Sequence, residues 1–248
     1  FQLNHQVVST ECHHSWKQKV INFTTGLTVM HSTPNHKIIS FSLWGSNPFY
    51  CKGMLHNVKL AKEIYPDWKV MVYLDSTVPD YYLSNLKKGG VIIREMDSRT
   101  SFFSKALWRF LAIEETTGPV IFRDADSRLS VRERWAVKEW LKTDKKLHIM
   151  REQGHYKLIQ AGMFGLKEID FSMKEEMEKW LKINDGKYGK QIDQEFLAEV
   201  IWNKLNGSQI AHISNESSRK LQSDVFFDEK YKTKFGTFIG ERIYEYDR

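Results

Sequence analysis

Cysteines and long apolar runs, which stabilise or anchor many proteins, are scarce in this sequence. Only Cys12 and Cys51 are present, and neither belongs to a C-x-x-C motif, which argues against a zinc ribbon. The two thiols either form a disulfide in an oxidising compartment or stay reduced and buried. No stretch approaches the roughly 18 consecutive apolar residues of a membrane-spanning helix, and the sequence shows no internal repeat. These absences favour a globular chain without a membrane span of its own.

Acidic residues are fewer than basic ones, and the formal net charge is +6. This balance permits attraction to nucleic acid, to an anionic membrane surface or to a polyphosphate substrate. The lysines form short clusters such as Lys87-Lys88 and Lys145-Lys146, without an arginine-rich arm or an RNA-binding signature. We therefore expect most of them on a solvated surface and expect no nucleic-acid partner.

The apolar fraction is substantial, since 41% of the 248 residues are hydrophobic and 13% are aromatic. This content suits one large α/β domain or two small ones, and we expect a single domain over 1–248. Residues 1–36 are polar and rich in histidine, which predicts an irregular arm with a short helix. The histidines of this arm lack a metal-ligand spacing paired with a carboxylate, so we expect no metal site among them.

From Lys37 onward, apolar runs with strand and helix periodicity alternate along the chain. The predicted strands are Ile38–Trp44, Lys69–Leu74, Val91–Met96 and Val120–Asp126. The predicted helices between them are Tyr50–Tyr65, Pro79–Leu86 and Ser104–Thr116. Strands that alternate with helices form βαβ units, so we predict an α/β fold with a mostly parallel sheet flanked by helices. A nucleotide would then lie across the carboxyl edge of the sheet.

The second half of the chain has a different order of elements. Ser130 and Glu133 have the S-x-x-E form of a capping box, which predicts a helix that ends near Leu141. The later elements are a predicted strand Leu147–Arg151, a glycine-containing apolar segment Gln160–Leu166, helices Ser172–Ile183 and Asp193–Leu205, and short aromatic strands including Gly236–Gly240.

The pair Asp124 and Asp126 stands at the end of the fourth predicted strand, directly before the capped helix. In an extended strand alternate side chains point the same way, so both carboxylates can face one hard cation while Ala125 turns to the other face. A strand followed by carboxylates and a capped helix is typical of a ligand crevice at the carboxyl edge of a sheet. The alternative is a solvated acidic turn that neighbouring arginines neutralise.

Several motifs occur here in an order that carries a family resemblance. Ser104-Lys-Ala-Leu-Trp-Arg109-Phe, then Asp124-Ala-Asp126, Ala161-Gly162 and Asp193-Gln194, resembles metal-dependent glycosyltransferases of the GT-A fold. The run FRDADSRLSVRE is similar to that of a group of poorly characterised glycosyltransferase-like proteins. The resemblance covers most of 37–240. It implies a single GT-A-like domain with a nucleotide-binding half at 37–128 and an acceptor-side half at 129–248.

The resemblance implies transfer of a sugar from a UDP- or GDP-linked donor to a hydroxyl group of a glycan, lipid or protein. Asp126 would bind Mn²⁺ or Mg²⁺ directly, and Asp124 would bind the metal or the ribose of the nucleotide. His212 corresponds to a C-terminal histidine that completes the metal shell in many related enzymes. Arg109 would fork a phosphate or orient the acidic pair, and Lys105 would share its face of the helix.

Other residues have two interpretations that the sequence leaves open. Asp193 is either a helix N-cap or a carboxylate that takes the proton of the attacking hydroxyl. Ala161 and Gly162 either form a tight turn or let the backbone pass close to the donor sugar. The carboxyl end of the first predicted strand is flanked by Ser42, Trp44 and Tyr50, and there an aromatic ring could stack on the nucleotide base.

Two other classes of protein remain as alternatives. A D-x-D after a strand also begins the haloacid-dehalogenase phosphatase motif, but that motif needs Thr or Ser where Arg128 stands. A non-catalytic nucleotide- or carbohydrate-binding domain is the second alternative. N-glycosylation sequons at Asn22, Asn206 and Asn215 favour a secretory lumen over the cytoplasm. Since the chain begins at Phe1, we expect a preceding segment, and peripheral or anchored membrane association stays open.

Overall fold

The structure, a computed structural model, describes residues 33–217, 219–221, 223–231 and 238–243. Residues Thr33–Arg248 group as one compact unit. The predictions for the irregular arm, its short helix and its histidines lie outside the described residues, apart from 33–36, which have no regular secondary structure. Cys12 and Asn22 also lie outside them, while Cys51 is a buried free thiol. Within the described ranges, no helix has both the length and the apolar character needed to cross a membrane.

The described residues form one eight-stranded sheet in the order β3-β2-β1-β4-β6-β5-β7-β8. The strands are β1 Ile38–Leu43, β2 Lys69–Leu74, β3 Ile92–Glu95, β4 Val120–Arg123, β5 Leu147–Arg151, β6 Met163–Leu166, β7 Gln209–Ile213 and β8 Val225–Phe226. Strand β6 runs antiparallel to both of its neighbours, and the other pairs are parallel. The predicted α/β class with a mostly parallel sheet is confirmed. Because the chain leaves β1 for β2 on one side and returns as β4 on the other, a crevice opens between their carboxyl ends.

Helices cover both faces of the sheet. The α-helices are α1 Pro48–Ile64, α2 Asp80–Lys88, α3 Val131–Leu141, α4 Met173–Asn184, α5 Ile192–Phe196 and α6 Trp202–Leu205. Helix α3 begins as its capping box predicts, because the Ser130 hydroxyl accepts the Glu133 backbone N–H at 3.2 Å. Ser172 caps α4 in the same way, at 3.2 Å from the nitrogen of Glu175.

Two predicted elements have a different form in the structure. The segment Ser104–Glu114 is a 3₁₀-helix rather than an α-helix. The helix predicted at Asp193–Leu205 is interrupted between α5 and α6 by the π-helical turn Leu197–Ile201.

The prediction of an extended strand through Asp126 is wrong. Strand β4 ends at Arg123, where its pairing with Met163 of β6 also ends. The chain then turns, and the Asp124 carbonyl accepts a hydrogen bond from the Ser127 hydroxyl at 3.2 Å. The two aspartates therefore reach the sheet edge on a turn, and strand alternation does not explain how they are placed.

The face of the sheet that lies under the 3₁₀-helix holds an aromatic core. Phe122 of β4 stacks on Phe164 of β6 with ring centroids 4.4 Å apart, and Phe110 of the 3₁₀-helix meets both rings edge-on. On the same face, β1 carries two serines that bind the backbone of this helix. The hydroxyl of Ser40 donates to the Arg109 carbonyl at 2.7 Å. The core thus fixes the 3₁₀-helix directly beside the crevice.

Candidate active site

A cavity of about 640 Å³ opens at the carboxyl ends of β1 and β4. Its walls come from the loop after β1, the 3₁₀-helix, the turn after β4 and the start of α5. The predicted site residues in its lining are Ser42, Trp44, Tyr50, Arg109, Asp124, Asp126, Ala161 and Asp193. The structure therefore brings together residues that are up to 151 positions apart in the sequence.

Arg109 lies at the centre of the cavity base, with only 4% of its side chain exposed. Its backbone N–H donates to the Ser42 hydroxyl at 3.0 Å. One guanidinium nitrogen pairs with Asp124 and donates to the Arg123 carbonyl at 2.9 Å, and the other donates to Asp193 at 2.9 Å. Burial opposes the charge, but the two carboxylates raise the pKa of Arg109 above its ordinary value. The guanidinium is thus a fixed bracket between two carboxylates.

Asp124 is the more exposed member of the acidic pair, with 43% of its side chain accessible. The backbone of Gly162 lies directly against its carboxylate, and a β-carbon at position 162 would overlap Oδ2 of Asp124. In this structure the small residue at 162 is needed for the close approach of Asp124. Ala161, beside it, lines the cavity and is almost fully buried.

Asp126 faces the cavity with 13% of its side chain exposed. Its Oδ2 accepts a hydrogen bond from Nε of Arg242 at 2.8 Å, and its carbonyl accepts the backbone N–H of Ile243 at 2.9 Å. Burial and the charge of Asp124 raise the pKa of Asp126 above its ordinary value, and Arg242 offsets only part of that effect. Each carboxylate of the acidic pair thus has one arginine partner, Arg109 for Asp124 and Arg242 for Asp126.

Asp193 lies in the first turn of α5, so the prediction that it is the N-cap is wrong. The N-cap is Gln191, which makes no side-chain capping bond. The carboxylate of Asp193 accepts Arg109 on one oxygen and the Gln194 N–H on the other, at 2.9 Å each. Burial raises its pKa above the ordinary value, although Arg109 works against this rise. A buried carboxylate with a raised pKa is suited to accepting a proton.

Aromatic side chains form part of the cavity wall. The rings of Trp44 and Phe102 meet edge to face with centroids 5.8 Å apart, and 61% of Phe102 is exposed. Tyr50 and Phe103 line the same cavity. Phe102 and Phe103 could not be predicted as site residues, because they lie in an irregular turn where no periodicity marks a buried or a functional position. Nor were the cavity residues Lys190 and Arg242 predicted from the sequence.

The structure does not place Lys105 or His212 in the cavity lining. The Nζ of Lys105 lies 2.5 Å from Oδ2 of Asp75 and is buried. The ring of His212 is fully buried, and its Nδ1 lies 3.0 Å from Nε2 of His148. His212 also packs edge-on against Trp135, with ring centroids 5.4 Å apart. A metal held by the acidic pair would therefore take its further ligands from elsewhere.

The acidic pair can hold Mn²⁺ or Mg²⁺ only as part of an incomplete shell. Carboxylate oxygens are suitable ligands for such hard cations, and Mg²⁺ is commonly held by one or two carboxylates together with water and substrate phosphates. Within the described ranges, no group of three or more His, Cys, Asp and Glu side chains is placed to hold a metal ion. Asp124 and Asp126 fit a cation that substrate phosphates and water help to coordinate.

No protein-family model matches the sequence, and a comparison with curated proteins gives no match either. Solved structures similar to this chain include 4-diphosphocytidyl-2C-methyl-D-erythritol synthase from Anaerococcus prevotii, at 12% identity and a TM-score of 0.46. That match covers 77% of this chain and 93% of the other. A putative glucose-1-phosphate thymidylyltransferase from Bacillus anthracis has 12% identity and a TM-score of 0.45 over 73% of this chain and 87% of its own.

A mannosyltransferase from Pyrobaculum calidifontis, solved in complex with GDP-Man and Mn²⁺, is similar at 12% identity with a TM-score of 0.44. The match covers 78% of this chain and 56% of the mannosyltransferase. Likeness at this level concerns the arrangement of helices and strands.

Proposed function

We propose that this protein is a glycosyltransferase that moves a sugar from a nucleotide-diphosphate sugar to a hydroxyl group of an acceptor. One arrangement supports the proposal above all: the buried Arg109 holds Asp124 and Asp193 at the base of a cavity at the carboxyl edge of the sheet. Asp126 adds a second carboxylate to the cavity lining beside Asp124. The sequence resemblance to metal-dependent glycosyltransferases assigns the same residues to donor binding and catalysis.

The charges of the cavity favour a divalent cation as cofactor. Its charged lining in the described structure consists of three cationic and three anionic side chains, namely Arg109, Lys190, Arg242, Asp124, Asp126 and Asp193. A diphosphate would add negative charge to a lining that is close to neutral. Mn²⁺ or Mg²⁺ at Asp124 and Asp126, when bound, would neutralise the leaving nucleotide diphosphate.

Each polar residue at the cavity base then has a defined task. Arg109 keeps Asp124 oriented toward the cation or the ribose. The hydroxyl of Ser42 holds Arg109 in place by accepting the backbone N–H of Arg109. Asp193 takes the proton of the attacking hydroxyl, since its carboxylate reaches the cavity and has a raised pKa. Trp44 and Tyr50 stack on the nucleotide base. Lys105 and His212 take no direct part, because their partners hold them away from the cavity.

The substrates divide between the two halves of the chain. Residues 37–128 supply the aromatic wall, Arg109 and the acidic pair, which together suit a UDP- or GDP-linked donor. In the acceptor-side half at 129–248, Asp193 faces the hydroxyl acceptor, which belongs to a glycan, a lipid or a protein, and Ala161 lies close to the donor sugar.

A thermal-shift panel tests the proposal. UDP and GDP are added with and without Mn²⁺ or Mg²⁺, and one of them should raise the melting temperature only when the cation is present. Asp126→Ala should abolish this cation-dependent shift. Asp170→Ala should leave it unchanged, because Asp170 is an exposed aspartate outside the cavity lining, with a side-chain accessibility of 80%. A shift that persists in Asp126→Ala would contradict the assignment of the acidic pair.

A turnover assay separates the proposal from the phosphatase alternative. Purified protein with Mn²⁺ should release UDP or GDP from a nucleotide-sugar and should leave p-nitrophenyl phosphate intact. Rapid phosphate release from the phenyl ester, without cleavage of any nucleotide-sugar, would favour the haloacid-dehalogenase class instead.

A further inference from the structure

The segment 238–243 crosses the rim of the cavity and is held in place at both ends. Ile239 is 1% exposed and packs in a small core with Met150, Met163 and Phe227. Gly240 follows with φ +80°, where a β-carbon would overlap the side chain of Met163. This left-handed conformation, which glycine adopts readily, lets the chain reverse above the buried side chain.

At the other end of the segment, the backbone N–H of Ile243 donates to the Asp126 carbonyl at 2.9 Å. Arg242 lies between the reversal at Gly240 and this bond, so the backbone carries its side chain to the acidic pair. The segment itself keeps its position without the side chain of Arg242, because its two attachments are made by a buried isoleucine and a backbone hydrogen bond.

The two arginines that meet the acidic pair differ sharply in their setting. Arg109 is 4% exposed and is bound by two carboxylates and a carbonyl. Arg242 is 52% exposed, and its Nε lies 2.8 Å from Oδ2 of Asp126. Its guanidinium also lies 5.8 Å from the ring centroid of Phe49 at the rim. Water can replace Asp126 as a partner of the half-exposed Arg242 guanidinium, whereas the buried Arg109 would lose its carboxylates without replacement.

A divalent cation held by Asp126 would share this carboxylate with the Arg242 guanidinium, and like charges that are so close repel each other. The cation and Arg242 therefore compete for Asp126. A guanidinium displaced from Asp126 stays at the rim, because its backbone is held, and it can bind phosphate oxygens with paired N–H groups.

We propose that Arg242 is an exchangeable counter-ion: it neutralises Asp126 before substrate binds, yields that carboxylate to the divalent cation, and then binds the diphosphate of the donor. The inference rests on the proposed function for the identity of the donor. The competition between Arg242 and the cation does not depend on it.

The test measures Mn²⁺ binding to the full chain by electron paramagnetic resonance, without any nucleotide. Arg242→Gln should bind Mn²⁺ about two- to fivefold more tightly than the natural protein, the factor expected when a weak ion pair with one solvent-exposed partner no longer competes. Arg242→Lys, which keeps the charge, should remain near the natural affinity. Arg99→Gln serves as the matched control, since Arg99 is an exposed arginine outside the cavity lining that pairs with Asp97, and it should change nothing.

The second half of the test adds UDP and GDP at saturating Mn²⁺. Arg242→Gln should bind the preferred nucleotide about fivefold more weakly, because a charge-assisted contact to phosphate is lost. Unchanged or weaker Mn²⁺ binding in Arg242→Gln, or no Mn²⁺ binding in any variant, overturns the inference. If Mn²⁺ binding tightens as expected but no nucleotide-sugar is cleaved, the counter-ion role stands and the proposed transferase activity fails.

Discussion

Gly162 lies directly against the carboxylate of Asp124, and Asp124 can take this position because residue 162 has no side chain. Gly162→Ala should push Asp124 away from Arg109 and lower stability by about 1–3 kcal/mol, as overpacking does. The cation-dependent shift with UDP or GDP should also be lost. Calorimetry with and without nucleotide and Mn²⁺ measures both effects.

Gly207→Ala is the control for this prediction. Gly207 has φ +98°, a conformation that alanine adopts only with strain, and it lies outside the cavity lining. The variant should lose stability and keep the cation-dependent shift. If Gly162→Ala also keeps the shift, the contact with Asp124 is only structural.

Arg109→Lys should distinguish the ability of the guanidinium to bind two carboxylates at once from the effect of its charge. Lysine keeps the charge but cannot reach Asp124, Asp193 and the Arg123 carbonyl with one planar fork. We expect a loss of about 3 kcal/mol in the free energy of unfolding, since breaking a buried ion pair leaves carboxylates uncompensated. Nucleotide affinity at saturating Mn²⁺ should fall at least tenfold, measured by isothermal titration calorimetry.

The matched control for Arg109→Lys is Arg94→Lys. Arg94 contacts Glu115 at 2.5 Å in a partly buried pair outside the cavity lining. The Arg94→Lys variant should lose some stability without any change in nucleotide affinity. If the Arg109→Lys variant keeps the nucleotide affinity of the natural protein, Arg109 stabilises the fold but does not contribute to donor binding.

Asp193→Asn should lower kcat about 10²- to 10³-fold with little change in KM, if Asp193 accepts the proton of the attacking hydroxyl. The pKa of Asp193 is raised, so the natural protein should lose kcat/KM as pH falls, beginning above the ordinary titration range of aspartate. Asp193→Asn should lose this acid limb, and Asp170→Asn should retain it. A parallel fall in nucleotide affinity would instead assign Asp193 to donor binding.

The buried pair His148 and His212 should make the protein sensitive to mild acid. Burial lowers the pKa of both imidazoles, and it brings that of His212 to about 4. The unfolded chain therefore takes up protons first as pH falls below 6.5. The contribution of the neutral histidines to the free energy of unfolding is complete above pH 6.5 and decreases as the pH falls from 6.5 to 4. At pH 5 the contribution of His212 has already decreased by about 2 kcal/mol.

Urea unfolding at pH 7.5 and pH 5.0 measures this effect. His212→Gln should reduce the difference between the two pH values by that amount. His155→Gln provides a comparison, because burial lowers its pKa to about 4 as well and its Nδ1 accepts the Glu152 N–H at 2.9 Å. If His212→Gln leaves the difference unchanged, the histidine pair does not bear the acid sensitivity.

Trp44→Ala should weaken nucleotide binding about 5- to 100-fold, which corresponds to the loss of one base–aromatic stack. Binding of inorganic pyrophosphate with Mn²⁺ should stay the same, because pyrophosphate has no base. Tyr81→Ala removes another exposed ring, 69% accessible and outside the cavity lining, and should have no effect on either ligand. Equal losses for UDP and pyrophosphate would place Trp44 elsewhere in the donor site.

The sequence predicted the order of strands and helices well, because apolar runs, glycine pairs and capping residues are local signals. Predictions were wrong where a side chain's position depends on more than the local sequence pattern. Lys105 and Arg109 are four residues apart, a spacing that places side chains on one face of an α-helix. The segment is a 3₁₀-helix with three residues per turn, so Lys105 points to Asp75 instead.

The contacts that complete the candidate site are the least predictable from sequence. Arg242 and Asp126 are 116 residues apart, and no periodicity or spacing links them. Arg109 was placed near the acidic pair by the ordered motifs, but its bond to Asp193 depends on how the second half of the chain folds back over the first.

Strand β6 is the only antiparallel member of the described sheet, and it joins the strands before residue 124 to those after residue 146. Gly162 stands at the entrance of β6, and Asp124 follows the end of β4, so the two residues meet at the same edge of the sheet. An isolated fragment ending at residue 128 would contain the D-x-D sequence but neither Gly162 nor Asp193. The position of the acidic motif therefore depends partly on contacts that are distant in the sequence, and contacts of this kind form slowly during folding.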